Sequence, residues 1–252
     1  MNLPAQSSTA VGAAGPTSAG ALLLEVRSVS VLFGNFMALD DVSVNLDAGR
    51  ALGLVGPNGS GKTTLINVVT GFVAAKRGKV FFDREDVSGR APHRLAHLGI
   101  NRTFQIPKPF TGLTVRQNVE VAARYGKGRQ SVEEILALTR LDGVGSRLSE
   151  ELTAAEQKKL DLARALSTAP RLLCVDELGA GLSVRELDEV ALMLREVAER
   201  WGIALLIVEH LMGFLERVTE DVVVLNAGQV IFEGSLVDAL RQPNVVEVFL
   251  GA

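Results

Sequence analysis

Residues 56–64 read Gly-Pro-Asn-Gly-Ser-Gly-Lys-Thr-Thr, a spacing suited to gripping a polyphosphate. Gly56, Gly61, Lys62 and Thr63 fill the fixed positions of the pattern G-x-x-x-x-G-K-[ST]. Glycine lets the backbone wrap closely round an oxyanion. Successive N–H groups then point inward, and a following helix adds the partial positive charge of its N-terminus. Pro57, Asn58, Gly59, Ser60 and Thr64 complete the loop. In such a loop Lys62 meets the β- and γ-phosphates of a nucleoside triphosphate, and the Thr63 hydroxyl ligates Mg²⁺.

A second constellation lies at 172–177, Leu-Leu-Cys-Val-Asp-Glu. Two carboxylates at the edge of a buried strand are costly unless a cation or a reaction uses them. Asp176 suits the Mg²⁺ shell, and Glu177 suits a base facing a water poised beside the γ-phosphate. His210 follows another apolar run, Ile203 to Val208, at the end of a strand where open α/β sheets bind ligands. Its imidazole N–H could hold the γ-phosphate and orient Glu177. His93 and His97 are spaced i, i+4, but no third ligand accompanies them, so they read as a helix surface.

The elements that must position these groups are legible in part. Ala51 to Val55 reads as a buried strand before the loop, and a helix is expected from Thr64. Leu24 to Phe33 alternates with one slip of phase, which predicts a bulge near Arg27 and Ser28. With Val42 to Leu46 and Lys79 to Phe82 it predicts a small antiparallel sheet. From about Pro92 to Leu166 helical spacing dominates, over Val115 to Arg124, Ser131 to Thr139 and Thr153 to Leu166, and no strand pattern interrupts it. Then follow a strand at Leu172 to Asp176, a helix at Val184 to Arg200 and a strand at Ile203 to Val208. A hairpin turns at Ala227-Gly228, between Val222 to Leu225 and Val230 to Phe232. Two capped helices end the chain, at Ser235 to Arg241 and Asn244 to Leu250.

Composition narrows the class. The chain of 252 residues is long enough for one domain with an inserted subdomain. A net charge of −3 gives no footing for a nucleic-acid partner. The basic residues Arg124, Lys127 and Arg129 sit beside Gly126 and Gly128 and read as a solvated loop. The single cysteine, Cys174, excludes an internal disulfide and reads as an inert core residue. No apolar run approaches the about 20 residues that span a bilayer. Residues 1–20 lack the basic start of a signal peptide and read as a flexible, disordered tail, leaving 21–252 as the folded domain. A mean hydropathy of +0.25 fits either a docking surface on a membrane protein or a large α/β core.

Taken in order, these elements resemble the ATPase subunit of ABC transporters over about residues 22 to 252. The resemblance implies an α/β P-loop NTPase core of RecA-like type, with an antiparallel β-subdomain and a helical subdomain inserted at about 92–166. It implies ATP and Mg²⁺ as cofactors. Phe33, before the loop, matches an aromatic that stacks on adenine. Gln105 of Thr103-Phe104-Gln105 matches a glutamine that ligates Mg²⁺ or its water and opens the segment touching the membrane subunit. Asn101 to Gln105, then Leu113-Thr114-Val115 with Asn118-Val119, resembles the branched-chain amino acid importers. So do the runs Asn226 to Gly234 and Asn244 to Gly251.

The signature of that family, Leu-Ser-Gly-Gly-Gln, aligns with Leu152-Thr153-Ala154-Ala155-Glu156. In the family this segment clasps the γ-phosphate held by the opposing subunit. Thr153 keeps a hydroxyl, Ala154 and Ala155 replace both glycines, and Glu156 puts negative charge near a polyanion. Leu178, Ser183 and Leu211 stand where the family usually has Pro, Asp or Asn, and Asp. The resemblance implies a second ABC ATPase subunit as partner, in a homo- or heterodimer. It also implies transmembrane permease subunits, a solute-binding protein and a place at the cytoplasmic face of the membrane. The expected activity is ATP hydrolysis that powers an importer. The altered signature keeps an alternative open, a nucleotide-gated subunit that hydrolyses little.

Overall fold

A computed structural model describes residues 21–126 and 130–250. The tail expected at 1–20 lies outside the described residues, as do Lys127 and Arg129 of the basic loop. Ten strands and nine helices are described. In chain order they are β1 Leu22–Phe33, β2 Phe36–Asp47, β3 Ala51–Val55, α1 Lys62–Val69, β4 Arg77–Phe82, β5 Glu85–Asp86, α2 Pro92–Leu98, β6 Ile100–Arg102, α3 Val115–Arg124 and α4 Val132–Leu138. After these come α5 Ala154–Ser167, β7 Leu172–Asp176, α6 Val184–Trp201, β8 Ala204–Val208, α7 Met212–Val218, β9 Asp221–Asn226, β10 Gln229–Ser235, α8 Leu236–Ala239 and α9 Pro243–Leu250.

Strands β3, β7 and β8 are short, apolar and buried nearly throughout. Such runs suit a parallel sheet covered on both faces. They form the middle of a six-stranded sheet ordered β10-β9-β3-β8-β7-β6, parallel except for the β9–β10 hairpin. That hairpin turns at Ala227 and Gly228, both at positive φ, as expected. The second sheet is antiparallel, ordered β2-β1-β4-β5. Its register slips between Val26 and Val29, and Ser28 has φ +48, so the bulge falls where the alternation breaks.

One apolar core joins the antiparallel sheet, α1 and one face of the parallel sheet. A second packs α5, α6 and α7 on the other face. A third, built on Val119, Ile135, Leu141 and Leu160, holds α3, α4 and α5 to one another.

Four expectations change. Helix α1 starts at Lys62, two residues before Thr64, because Gly61 at φ +109 turns the chain directly into the helix. Strand β6 lies inside the span 92–166 read as helical, and it belongs to the core sheet. Only Ile100 of its three residues is fully buried, so it carries no alternation to detect. Helix α9 begins at Pro243, which puts Asn244 inside the first turn and not at the cap. Helix α7 follows His210 and is additional to the expected elements; Leu211 at its cap position gives no start signal. No described helix is long and apolar enough to cross a membrane.

Candidate active site

Four adjacent parallel strands, β3, β8, β7 and β6, end at one edge of the sheet. The loop 56–61 leaves β3, His210 follows β8, Glu177 follows β7, and Gln105 follows β6. Sheet order therefore converts four distant sequence segments into one site, at the strand ends where open α/β sheets bind ligands.

The loop itself is a cradle with no room for side chains at two points. A Cβ on Gly56 would lie 2.0 Å from the Leu225 carbonyl oxygen, and one on Gly61 would lie 2.8 Å from that of Ala38. Gly56, Gly59 and Gly61 all have positive φ. Beyond Gly61, the first N–H groups of α1 have no intrahelical acceptor and face the N-terminal end. Lys62 is buried, and its Nζ donates to the carbonyls of Gly56 at 2.8 Å and Pro57 at 2.9 Å. Burial pushes its pKa down, while Glu177 and Asp176 pull it back up. The Ser60 hydroxyl is buried without a hydrogen-bond partner. An anion-shaped cradle, a desolvated ammonium and an unsatisfied hydroxyl fit the phosphates of a nucleotide. Gly228 N–H donates to the Ser60 carbonyl at 3.0 Å, and Asp40 N–H to the Gly228 carbonyl at 2.8 Å. These bonds tie the loop to the β1–β2 hairpin, whose turn presents Phe33 half exposed.

Glu177 is the hub of the opposite wall. Gln105 Nε2 donates to Glu177 Oε2 at 2.6 Å, and His210 Nε2 lies 3.1 Å from Glu177 Oε1. Two residues singled out in the sequence thus converge on the carboxylate of a third. Next to it, Asp176 is nearly buried and pairs with Arg102 at 2.8 Å. Burial raises the Asp176 pKa, and the Arg102 guanidinium opposes that shift. Arg102 also donates to Asn67 Oδ1 at 2.6 Å, and its guanidinium lies over the Phe104 ring. The donors that could hold Mg²⁺ are Asp176, the Thr63 hydroxyl and the Gln105 amide oxygen. This all-oxygen set fits that hard cation.

A family model described as ABC transporter matches residues 39–180, more than half of the chain. The chain belongs to the ABC transporter family. It is 37% identical to the probable branched-chain amino acid transport ATP-binding protein LivG of Archaeoglobus fulgidus, over 91% of this chain and 96% of that protein. It is 28% identical to the high-affinity branched-chain amino acid transport ATP-binding protein BraF of Pseudomonas aeruginosa, over 91% and 98%. Its fold superposes with a TM-score of 0.82 on an ATP-binding cassette of an ABC transporter in its ADP conformation, at 33% identity and over 92% and 99% of the two chains.

Within this ABC transporter cassette the segment 152–156 has a defined geometry. Thr153 caps α5, its hydroxyl accepting from Glu156 N–H at 3.3 Å. The Glu156 carboxylate accepts from Thr153 N–H at 2.8 Å and pairs with Arg147 at 3.4 Å. The negative charge of Glu156 is therefore neutralised and bound within its own turn. Ala154 and Ala155 occupy the next two positions, partly open to solvent, and their N–H groups have no intrahelical acceptor.

The three other departures are local. Ser183 caps α6 as a box with Glu186, so it does the capping work of Asp or Asn. Leu178 is buried in the core. Leu211 stands at the cap position of α7 and offers no side-chain acceptor.

Elsewhere in the cassette, the histidines of α2 are both exposed, and no group of potential metal ligands forms among the described residues. Cys174 is fully buried in β7, and burial pushes its thiol up to about 12. Three groups at the site escape a reading by motif: Arg102, Lys158 and Glu209. Glu209 follows an apolar strand as Asp176 ends one, so the argument from costly buried carboxylates applied to it equally.

Proposed function

We propose that this cassette binds Mg-ATP in the loop 56–64 and hydrolyses it with Glu177 as the general base. The observation that carries the reading is the convergence of Gln105 and His210 on the Glu177 carboxylate, beside the cradle that fits the phosphates. Lys62 and the loop amides bind the β- and γ-phosphates, and Phe33 stacks on adenine. Asp176, Thr63 and Gln105 would hold Mg²⁺, which would supply neutralisation of phosphate charge. Glu177 accepts the proton of the attacking water, and His210 positions that carboxylate and the terminal phosphate. Catalysis comes from positioning and charge stabilisation, with no covalent intermediate.

The cassette acts in a dimer with a second ABC ATPase subunit, whose nucleotide faces Thr153, Ala154, Ala155 and Glu156 of this chain. It docks on transmembrane permease subunits at the cytoplasmic face and works with a solute-binding protein. Names of the relatives support a branched-chain amino acid or a related small solute as cargo. Uptake of labelled leucine by proteoliposomes holding the whole complex, with ATP inside, tests the cargo. ATP-driven uptake is expected, and turnover with no uptake of any aliphatic amino acid would exclude it.

Ala154 and Ala155 favour a second reading of the same fold, unequal sites. If the partner is a paralogue with a glycine signature, Lys62→Ala in this chain lowers turnover more than the matching change in the partner. Equal losses would remove this reading. Failure of either single change to lower turnover would point to a nucleotide-gated subunit that hydrolyses little.

A further inference from the structure

Glu177 has φ +48, a left-handed conformation that costs a residue with a side chain about 1–2 kcal/mol. Such a conformation persists only where the surroundings over-determine it. The surroundings here are unusual. Lys158, one turn into α5, sends its Nζ to the carbonyls of Leu178 at 2.9 Å and Ala180 at 2.5 Å. Gly179, between them, donates its N–H to Glu209 Oε1 at 2.6 Å. The Glu177 N–H donates to the Val208 carbonyl at 2.9 Å. Glu209 is 2% exposed and precedes His210. Gly179 lies tight against both neighbours, since a Cβ there would lie 2.8 Å from Leu187 Cδ2 and 3.0 Å from Glu209 Oε1.

We propose that Lys158 and Glu209 are positioning residues that clamp the segment Leu178–Ala180 from two sides and so fix the aim of the Glu177 carboxylate. Lys158 reaches in from the helix that Thr153 caps, and Glu209 from the turn that carries His210. The clamp joins three parts that must agree for turnover: the signature helix, the base and the histidine. A shift of α5 moves Lys158 and pulls on two carbonyls within three residues of Glu177. The charges suit the task. Burial lowers the Lys158 pKa, while Glu209 and Glu177 favour its charged form. Burial raises the Glu209 pKa, opposed by the hydrogen bond from Gly179. The side-chain hydrogen bonds of both groups go to the segment Leu178–Ala180.

The inference rests on the proposed hydrolysis, and the test separates the two. Full-length wild type, E177Q, K158M, K158R and E209Q are compared for phosphate release and for affinity toward a fluorescent ATP analogue. Wild-type release that disappears in E177Q establishes hydrolysis on its own. K158M is then expected to lose at least about tenfold in kcat, with KM and nucleotide affinity within about twofold of wild type, the pattern of a lost transition-state interaction. K158R, which keeps a cationic donor, is expected to recover part of kcat. Wild-type kcat in K158M, beside an inactive E177Q, overturns the clamp and leaves hydrolysis standing. Should K158M fail to fold, E209Q decides: reduced kcat at unchanged KM supports the clamp, and wild-type kcat overturns it.

Discussion

Gln105 Nε2 stands 2.6 Å from Glu177 Oε2, joining residues 72 positions apart in the chain. The contact exists because β6 and β7 are neighbours, with Arg102 in register with Cys174. Gln105 also opens a segment with the exposed apolar residues Ile106 and Phe110. A side chain on that segment is thus bonded directly to the proposed base, and movement there reaches the carboxylate without any intermediary. Substituting Gln105→Ala is expected to lower ATP turnover about 10- to 100-fold while nucleotide affinity holds, measured by phosphate release at saturating Mg-ATP.

The cradle predicts a contrast between two glycines of the same loop. A methyl at Gly56 would collide with the Leu225 carbonyl, whereas one at Gly59 meets nothing within 4 Å. Gly59→Ala then costs only its left-handed conformation, about 1–2 kcal/mol, or a few degrees in Tm. Gly56→Ala is expected to cost more than about 3 kcal/mol, because the backbone of β9 or of the loop must move. Thermal unfolding of the two variants side by side checks this, and equal shifts would contradict it.

Arg102 and Asp176 form a nearly buried ion pair, and removal of one partner strands the other. Arg102→Ala is expected to destabilise by about 3–5 kcal/mol. For a chain of this size that lowers Tm by at least about 6 °C. Denaturant unfolding of the two proteins measures the difference directly.

Helix α7 lacks a side-chain cap because Leu211 occupies that position. Leu211→Asp supplies an acceptor for the first turn and a negative charge at the helix N-terminus. A gain of about 1 kcal/mol is expected, seen as a Tm about 2–4 °C higher.

How much of this was legible in the residues depended on whether a signal was local. Glu177 and His210 each stand just past a strand end, with a type that ordinary structure does not require there, and Lys62 stands at a fixed position of a glycine-rich loop. Gln105 was legible only through family resemblance, since its strand β6 is too short to announce itself. Glu156 was read as a charge threatening a polyanion. The spacing Thr153-x-x-Glu156 is also that of a capping box, and the structure uses it that way. Nothing in the sequence marks the role of Lys158, because its partners lie about twenty residues on and meet it only after α5 packs. Glu209 was overshadowed by its neighbour His210.

Cys174 offers a pH test of the core. Its thiol is pushed up to about 12 by burial, from an ordinary value of 9.0. A raised value means the protonated form is favoured by folding. That contribution is fully present below pH 9 and lost as pH rises toward 12. At pH 8 a thiol reagent is expected to label the native chain only as fast as it opens, and the denatured chain at once. Rapid native labelling would contradict the packing of β7.

The most direct measurement of the central claim is nucleotide binding and phosphate release by the wild-type chain and Glu177→Gln, each with and without Mg²⁺. The account predicts that both bind ATP, and that release by the Gln variant falls at least about 100-fold. Absence of adenine-nucleotide binding in every magnesium condition, or undiminished release from the variant, would contradict it.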